Sequence, residues 1–343
     1  MRGLVLKGAR DLSLEEVPIP KRNSGEALVR VHSAGICGSD VLRYRGEGLR
    51  KLPLIPGHEI SGIVEDVGSV DDKAWIGAPV AVYPVIGCGK CHSCKRDWPH
   101  LCEDYDYVGS RRNGGMAEFV RVPISSLFGL SEPSMTAVGV LMEPVAVAVH
   151  AIARAGVLVS GGVRVVIRGG GTIGLLTAAL LASQKCVVHL VVSAPTPRRL
   201  QFAESFGFNL RTLTNSADRS PYDVAFECTG QSEGLNALPS LVRPRGAICL
   251  VGTPSQHSAL TSVSMDRLMR SEISVLTAWN SVPSFDSNDW IAASRFLHHA
   301  KSRIEALGMI RAYNLADGIA AIRDAERKQS DALKIVLRPR ENV

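Results

Sequence analysis

A chain of 343 residues has room for two ordinary domains, each with its own core. Its hydrophobic fraction of 45% and charged fraction of 21% are those of a soluble globular protein and exclude a disordered one. The formal charge of +6 is scattered, with no dense Lys/Arg tract interleaved with aromatics, so no nucleic-acid partner is expected, and a phosphorylated small molecule suits the charge as well.

The opening MRGLVLKGARDLSLEE alternates like a strand and lacks the long apolar core of a signal peptide. The segments EALVRVHSAG, EISGIVEDVG and APVAVYPVIG follow, punctuated by Gly and Pro, and predict a β-rich first half. The best candidate for a membrane span, AVGVLMEPVAVAVHAIARAGVLV, is broken by Glu143, Pro144, His150 and Arg154. A cytoplasmic location with no membrane partner is therefore expected. From about Val163 the pattern changes. VRVVIRG, CVVHLVVS, YDVAFECTG, GAICLVGTP and SEISVLTAW read as strands, with GTIGLLTAALLAS and PRRLQFAESFG as helices between them. Strand and helix alternating in this way predict an α/β doubly wound parallel sheet. The tail is mixed, with helices around NDWIAASRFLHHA and ADGIAAIRDAERK and a closing strand ALKIVLRP.

Gly169-Gly170-Gly171-Thr172-Ile173-Gly174 fits G-x-G-x-x-G between a predicted strand and a predicted helix. In that context the first Gly permits a tight turn, the second admits a pyrophosphate, and the third lets helix and strand pack closely. A dinucleotide is therefore the expected cofactor. The acid that holds the adenosine ribose of NAD is due about twenty residues on. That position falls at Ala194, in SAPTPRR. Without a carboxylate nothing there repels a 2′-phosphate. Arg198 and Arg199 are placed to pair with one, and Ser193 and Thr196 to donate hydrogen bonds. Two cations at a helix start also oppose the macrodipole, which favours an anion beside them. The turn thus favours NADP over NAD.

Four of the eight cysteines crowd into one segment, Cys88, Cys91, Cys94 and Cys102. Four thiolates in one loop close a tetrahedral shell around a structural zinc. Three further motifs stand apart: GICGSD with Cys37, Ser39 and Asp40, GHE with His58 and Glu59, and MEP with Glu143. A Cys, a His and a Glu would give zinc three protein ligands and one open position, the pattern of a catalytic site. Spacing alone does not bring these residues together.

In this order the motifs resemble the zinc-dependent medium-chain dehydrogenase/reductase family. The resemblance runs over nearly the whole chain, through GICGSD, GHE, the four cysteines, MEP, GGGTIGLL, FECTG and LVGT. YDYVGSRRNGGMAEF and AWN…NDWIAASRFL are most similar to its polyol dehydrogenase branch. The resemblance implies a GroES-like catalytic domain over residues 1–147, an inserted Rossmann domain over 148–281, and a return to the catalytic domain over 282–343. It implies a catalytic zinc on Cys37, His58 and Glu143, with Glu59 a ligand in some relatives and a neighbour in others. Asp40 would orient His58 through the ring N–H, and the four clustered cysteines would hold the structural zinc. Thr229 and Val251, in FECTG and LVGT, join the cofactor site. The implied reaction is oxidation of a polyol or polyol phosphate, with Ser39 taking the hydroxyl proton and the nicotinamide taking hydride. Many relatives carry a His three residues after that serine, where this chain has Leu42, so the proton path must end in water or ribose. Arg111 and Arg112 are candidates for a substrate phosphate, and Trp279 and Asn280 for the pocket wall, with Trp279 equally readable as core. A same-fold enzyme for threonine or a sugar acid and a non-catalytic relative are the alternatives. The latter should show decayed ligands or glycines, and none is decayed. The resemblance also implies a homodimer or homotetramer.

Overall fold

The computed structural model describes the chain apart from residues 157–161, 194, 213–221, 255–257, 284–287, 328–329 and 341–343. The chain forms two compact units, Met1–Glu143 with Val282–Val343, and Pro144–Ser281. The first break falls between Glu143 and Pro144, inside the first turn of the helix Met142–Arg154, rather than at 147/148. Among the described residues no single helix is long and apolar enough to cross a membrane.

The first unit is built on a seven-stranded sheet. Its central strand, Glu26–Gly35, is buried along most of its length because both of its edges are paired. On one edge it meets Glu59–Val67 antiparallel. The other edge is shared by two short strands, Phe119–Pro123 against residues 26–30 and Lys334–Arg338 against Ala34 and Gly35. That register sets Gly35 opposite Glu59 on one side and Val336 on the other. Two stretches distant in sequence thus meet across a residue with no side chain. The N-terminal alternation forms a hairpin, Arg2–Gly8 with Asp11–Glu16. Leu4, Val29, Ile60, Met116 and Leu337 join one core cluster. Trp290 is fully buried against Tyr83 and Phe128, with ring centroids 5.7 Å from each.

The second unit is a six-stranded parallel sheet. In spatial order its strands are Asn209–Thr212, Val187–Val192, Arg164–Arg168, Tyr222–Glu227, Val242–Leu250 and Ser274–Thr277. Numbered along the chain this is 3-2-1-4-5-6, the doubly wound dinucleotide-binding order, whose ligand crevice lies at the carboxyl end of the first strand. The strand Asn209–Thr212, with its polar NLRT sequence, carries no periodic signal and went unread. The helix Thr172–Ser183 is apolar all round and buried from Gly174 to Leu181, as a helix covered by its own sheet must be.

Candidate active site

The turn after the central strand of the first unit carries Cys37, which precedes the helix Gly38–Arg45. Asp40 accepts a hydrogen bond from the Cys37 N–H at 3.0 Å, tying the start of that helix to the turn. The next strand delivers His58 and Glu59 at its head. Ligand atoms of Cys37, His58 and Glu59 all lie within 4.8 Å of one another, although 21 residues separate the cysteine from the histidine. His58 and Glu59 are buried.

Glu59 uses one oxygen structurally. Oε1 accepts from Lys334 Nζ at 2.5 Å, and both side chains are almost wholly buried. Oε2 is buried with no hydrogen-bond partner among the described residues. A buried carboxylate oxygen left unbonded, on a side chain grouped with a thiol and an imidazole, fits a metal ligand, and the donor set of S, N and O suits zinc. Of the two glutamates that the motifs left open, Glu59 lies in the tight group. Glu143 lies beside it, buried in the first turn of its helix. Burial pushes the Glu143 carboxyl up to about 7, with His58 pulling it down and Glu59 pushing it further up. Lys334 is held above its ordinary value: burial opposes its charge, and Glu59 and Cys37 outweigh that.

Asp40 Oδ1 stands 3.7 Å from His58 Nδ1, an ion-pair distance longer than a hydrogen bond. Arg43 Nη1 donates to Asp40 Oδ1 at 3.1 Å and to Ser39 Oγ at 3.2 Å, so one guanidinium fixes both side chains. Burial disfavours charge on His58, but Tyr107, Asp40 and Cys37 raise its pKa well above the usual imidazole range. The ring of Tyr107 meets His58 edge-on, with centroids 5.4 Å apart.

Cys88, Cys91, Cys94 and Cys102 also converge within 4.8 Å, and none forms a disulfide. Backbone N–H groups turn toward the sulfurs, Cys88 N to Cys102 Sγ at 3.3 Å and Cys94 N to Cys91 Sγ at 3.5 Å. The Cys94 N–H lowers Cys91 to about 6, against burial, while burial raises Cys94 to about 12. Donors aimed at sulfur favour the thiolate, the form that binds metal.

In the second unit, Gly169 has φ +113° at the end of the first strand. A Cβ on Gly174 would stand 1.8 Å from the Gly169 carbonyl, so the helix start and the loop require glycine there. Gly171, Thr172 and Ile173 complete the loop and open the helix. Arg199 Nη1 lies 3.8 Å from where a Cβ on Gly170 would stand, which brings that guanidinium to the glycine loop. Arg198 and Arg199 open the helix Pro197–Phe206 behind Thr196, and Ser193 is exposed. Ala194 lies outside the described residues. Glu227, which motif reading passed over, is buried and accepts from Thr229 N and Gly230 N, both at 2.8 Å. Its own carbonyl accepts from Val251 N at 2.9 Å, so it ties together the two loops carrying Thr229 and Val251. An acid ending the apolar run VAF of the strand Tyr222–Glu227 was the available signal.

The Arg111 guanidinium lies over the Tyr105 ring at 4.0 Å and donates to the Tyr105 carbonyl. Arg112 Nε is 2.8 Å from Asp106 Oδ2. Trp279 is 53% exposed, so it is not core. Asn280 has φ +58°, and its Oδ1 accepts from Ser281 N.

Residues 23–132 match the alcohol dehydrogenase GroES-like domain, and residues 172–299 the zinc-binding dehydrogenase domain. The chain is 31% identical to galactitol 1-phosphate 5-dehydrogenase of Escherichia coli K12 over 85% of its length and 87% of that protein's. It is 31% identical to sorbitol dehydrogenase of Bacillus subtilis over 75% and 76% of the two chains. The crystal structure of the E. coli galactitol-1-phosphate dehydrogenase superposes with a TM-score of 0.87 at 29% identity, covering 99% of this chain and 100% of that one. A zinc-binding dehydrogenase of Sinorhizobium meliloti bound to NADP superposes at 0.86 with 27% identity, covering 98% and 99%. With its ligand group, its glycine loop and both domain types accounted for, the chain belongs to the zinc-dependent medium-chain dehydrogenases, among the alcohol and polyol dehydrogenases that use a nicotinamide cofactor.

Proposed function

We propose that this enzyme oxidises a polyol or polyol phosphate with NADP, with a catalytic zinc on Cys37, His58 and Glu59 and a structural zinc on Cys88, Cys91, Cys94 and Cys102. The observation that carries the catalytic assignment is the buried, unbonded Oε2 of Glu59, on a side chain that groups with Cys37 and His58 while Lys334 occupies its other oxygen. Zinc in that position supplies the Lewis acidity that makes a substrate hydroxyl more acidic. Ser39 receives the proton. Arg43 fixes its oxygen and leaves the hydroxyl hydrogen free to pass on. Because residue 42 is leucine, the proton leaves through water or a cofactor ribose. Lys334 holds Glu59 in place.

The preference for NADP rests on the carboxylate-free turn before Arg198 and on the reach of Arg199 to the glycine loop. Titration with NADPH and with NADH, followed by nicotinamide fluorescence, tests it without any substrate. Tighter binding of NADPH is expected, and equal or tighter binding of NADH refutes the preference. For the substrate, the relatives named above act on polyols or a polyol phosphate. A panel of polyols, their phosphates, threonine and sugar acids decides it, and a clear lead for threonine or a sugar acid overturns the polyol reading. Self-association is supported at one end of the parallel sheet. There Ser274–Thr277 is the end strand and the neighbouring helix Ser262–Arg270 exposes Val263 at 77% and Met269 at 73%. Light scattering should report a dimer or tetramer, and a monomer refutes it.

A further inference from the structure

The first unit carries a cavity of about 410 Å³ that the metal group does not use. Cys37, Ser39, His58, Glu59 and Glu143 are all absent from its lining. Its volume falls among those of small-molecule sites, about 300–1,000 Å³. Val17, Leu54 and Phe119 give it apolar walls, and the Met1 ammonium, Lys51, Arg112 and Arg121 bring four cations to it. Three carboxylates face these cations, the first being Glu16, whose Oε2 is 3.5 Å from the Met1 ammonium. Arg112 Nε is 2.8 Å from Asp106 Oδ2, and Arg112 Nη1 is 3.9 Å from Glu26 Oε1. Arg121 Nε shares that same Glu26 oxygen at 3.5 Å, and its Nη1 donates to the Lys21 carbonyl. Lys51 is exposed and has no carboxylate within ion-pair distance among the described residues. The walls therefore keep one positive charge in excess. Arg112 Nη1, 3.9 Å from Glu26 Oε1, makes no hydrogen bond among the described residues, and a buried donor of this kind calls for an acceptor.

We propose that this cavity binds a small organic monoanion, a carboxylate on an aryl or alkyl body, at a site separate from the catalytic one. The single surplus charge matches a carboxylate. The apolar walls suit a hydrocarbon body and would strip water from the hydroxyls of a polyol without replacing it, so this is not a second polyol site.

The test is calorimetric titration of 3-phenylpropionate into the zinc-loaded protein, with and without nicotinamide cofactor. The neutral 3-phenylpropanamide is the control. One equivalent of the acid is expected to bind, about tenfold tighter than the amide, the effect of one charged hydrogen bond. Affinity should be unchanged by cofactor. Lys51→Glu reverses the unpaired cation and Val17→Phe fills the cavity, and each is expected to weaken the acid about tenfold while dehydrogenase activity persists. Because activity reports folding, a loss of binding in either variant is not a folding defect. Absence of binding, equal binding of the amide, displacement of the acid by cofactor, or parental affinity in both variants overturns the proposal.

Discussion

Lys334 and Glu59 form a buried ion pair beside the metal group, Nζ to Oε1 at 2.5 Å, with side chains 3% and 1% exposed. Lys334→Met keeps the length of the side chain and removes the charge, leaving a carboxylate in a dry site with neither oxygen bonded. Breaking a buried pair from one side destabilises by about 3–5 kcal/mol. At about 2–4 °C per kcal/mol for a unit of this size, the chelated protein should melt about 6–20 °C lower. A zinc held by Glu59 would offset much of that stranded charge, so the loss should be smaller in the metal-loaded protein. Glu59→Gln with Lys334→Met removes both charges and should recover part of the loss, with a coupling above about 1 kcal/mol in the double-mutant cycle. Differential scanning calorimetry of the four proteins, loaded and chelated, reads all of this. A shift below about 2 °C in the chelated single variant, or simple additivity in the cycle, would refute the reasoning that the pair positions Glu59.

Glu143, with its carboxyl raised to about 7 from an ordinary 4.5, holds a proton more tightly folded than unfolded. Its contribution to stability is therefore full below about pH 4.5 and lost as pH rises through about 7. Glu143→Gln should leave the chelated protein unchanged at pH 4 and stabilise it by up to about 3 kcal/mol at pH 8. Parallel pH profiles in denaturant unfolding count against the assignment. A Cβ at Gly35 would stand 2.1 Å from Glu59 Oε2 and 2.9 Å from Lys334 Cε, so Gly35→Ala should displace the carboxylate. Metal analysis is expected to show one zinc retained and the other lost, and a full complement contradicts the geometry. Cys102→Ser removes a buried sulfur from the four-cysteine group. Hydrogen exchange should rise across residues 88–102, which short turns and little apolar packing otherwise leave to the metal, and unchanged protection there argues against a structural zinc.

Short motifs spell out what one turn or loop does by itself. The glycine loop, the four cysteines and the Cys37–Asp40 turn were readable because their partners lie within a few residues of one another. The alternation of strands and helices from Val163 onward likewise gave the parallel sheet, apart from the polar strand Asn209–Thr212, whose place at the sheet's end needs little apolar pattern. Side-chain partners that no motif encodes were not readable, whether local or set by sheet register. The Arg111 guanidinium, a candidate for a substrate phosphate, lies over the ring of Tyr105. Trp279, readable as core, stands half exposed. Lys334 shows the limit most clearly. In ALKIVLRP it stands between apolar residues, and alternation alone allows it to face solvent; the structure buries it, and a buried lysine requires an anion such as a carboxylate. The sequence names no such carboxylate. It does not say whether that carboxylate is Glu59 or Glu143, the same two residues left open as the third metal ligand. One strand pairing brings Lys334 to Glu59. Lys334–Arg338 lies against Gly35, Gly35 lies opposite Glu59, and the missing Cβ lets lysine and glutamate meet above it. The bond that satisfies Lys334 takes one oxygen of Glu59 and leaves the other unbonded on a side chain grouped with Cys37 and His58, so an ion pair between residues 275 positions apart also orders the candidate ligand group.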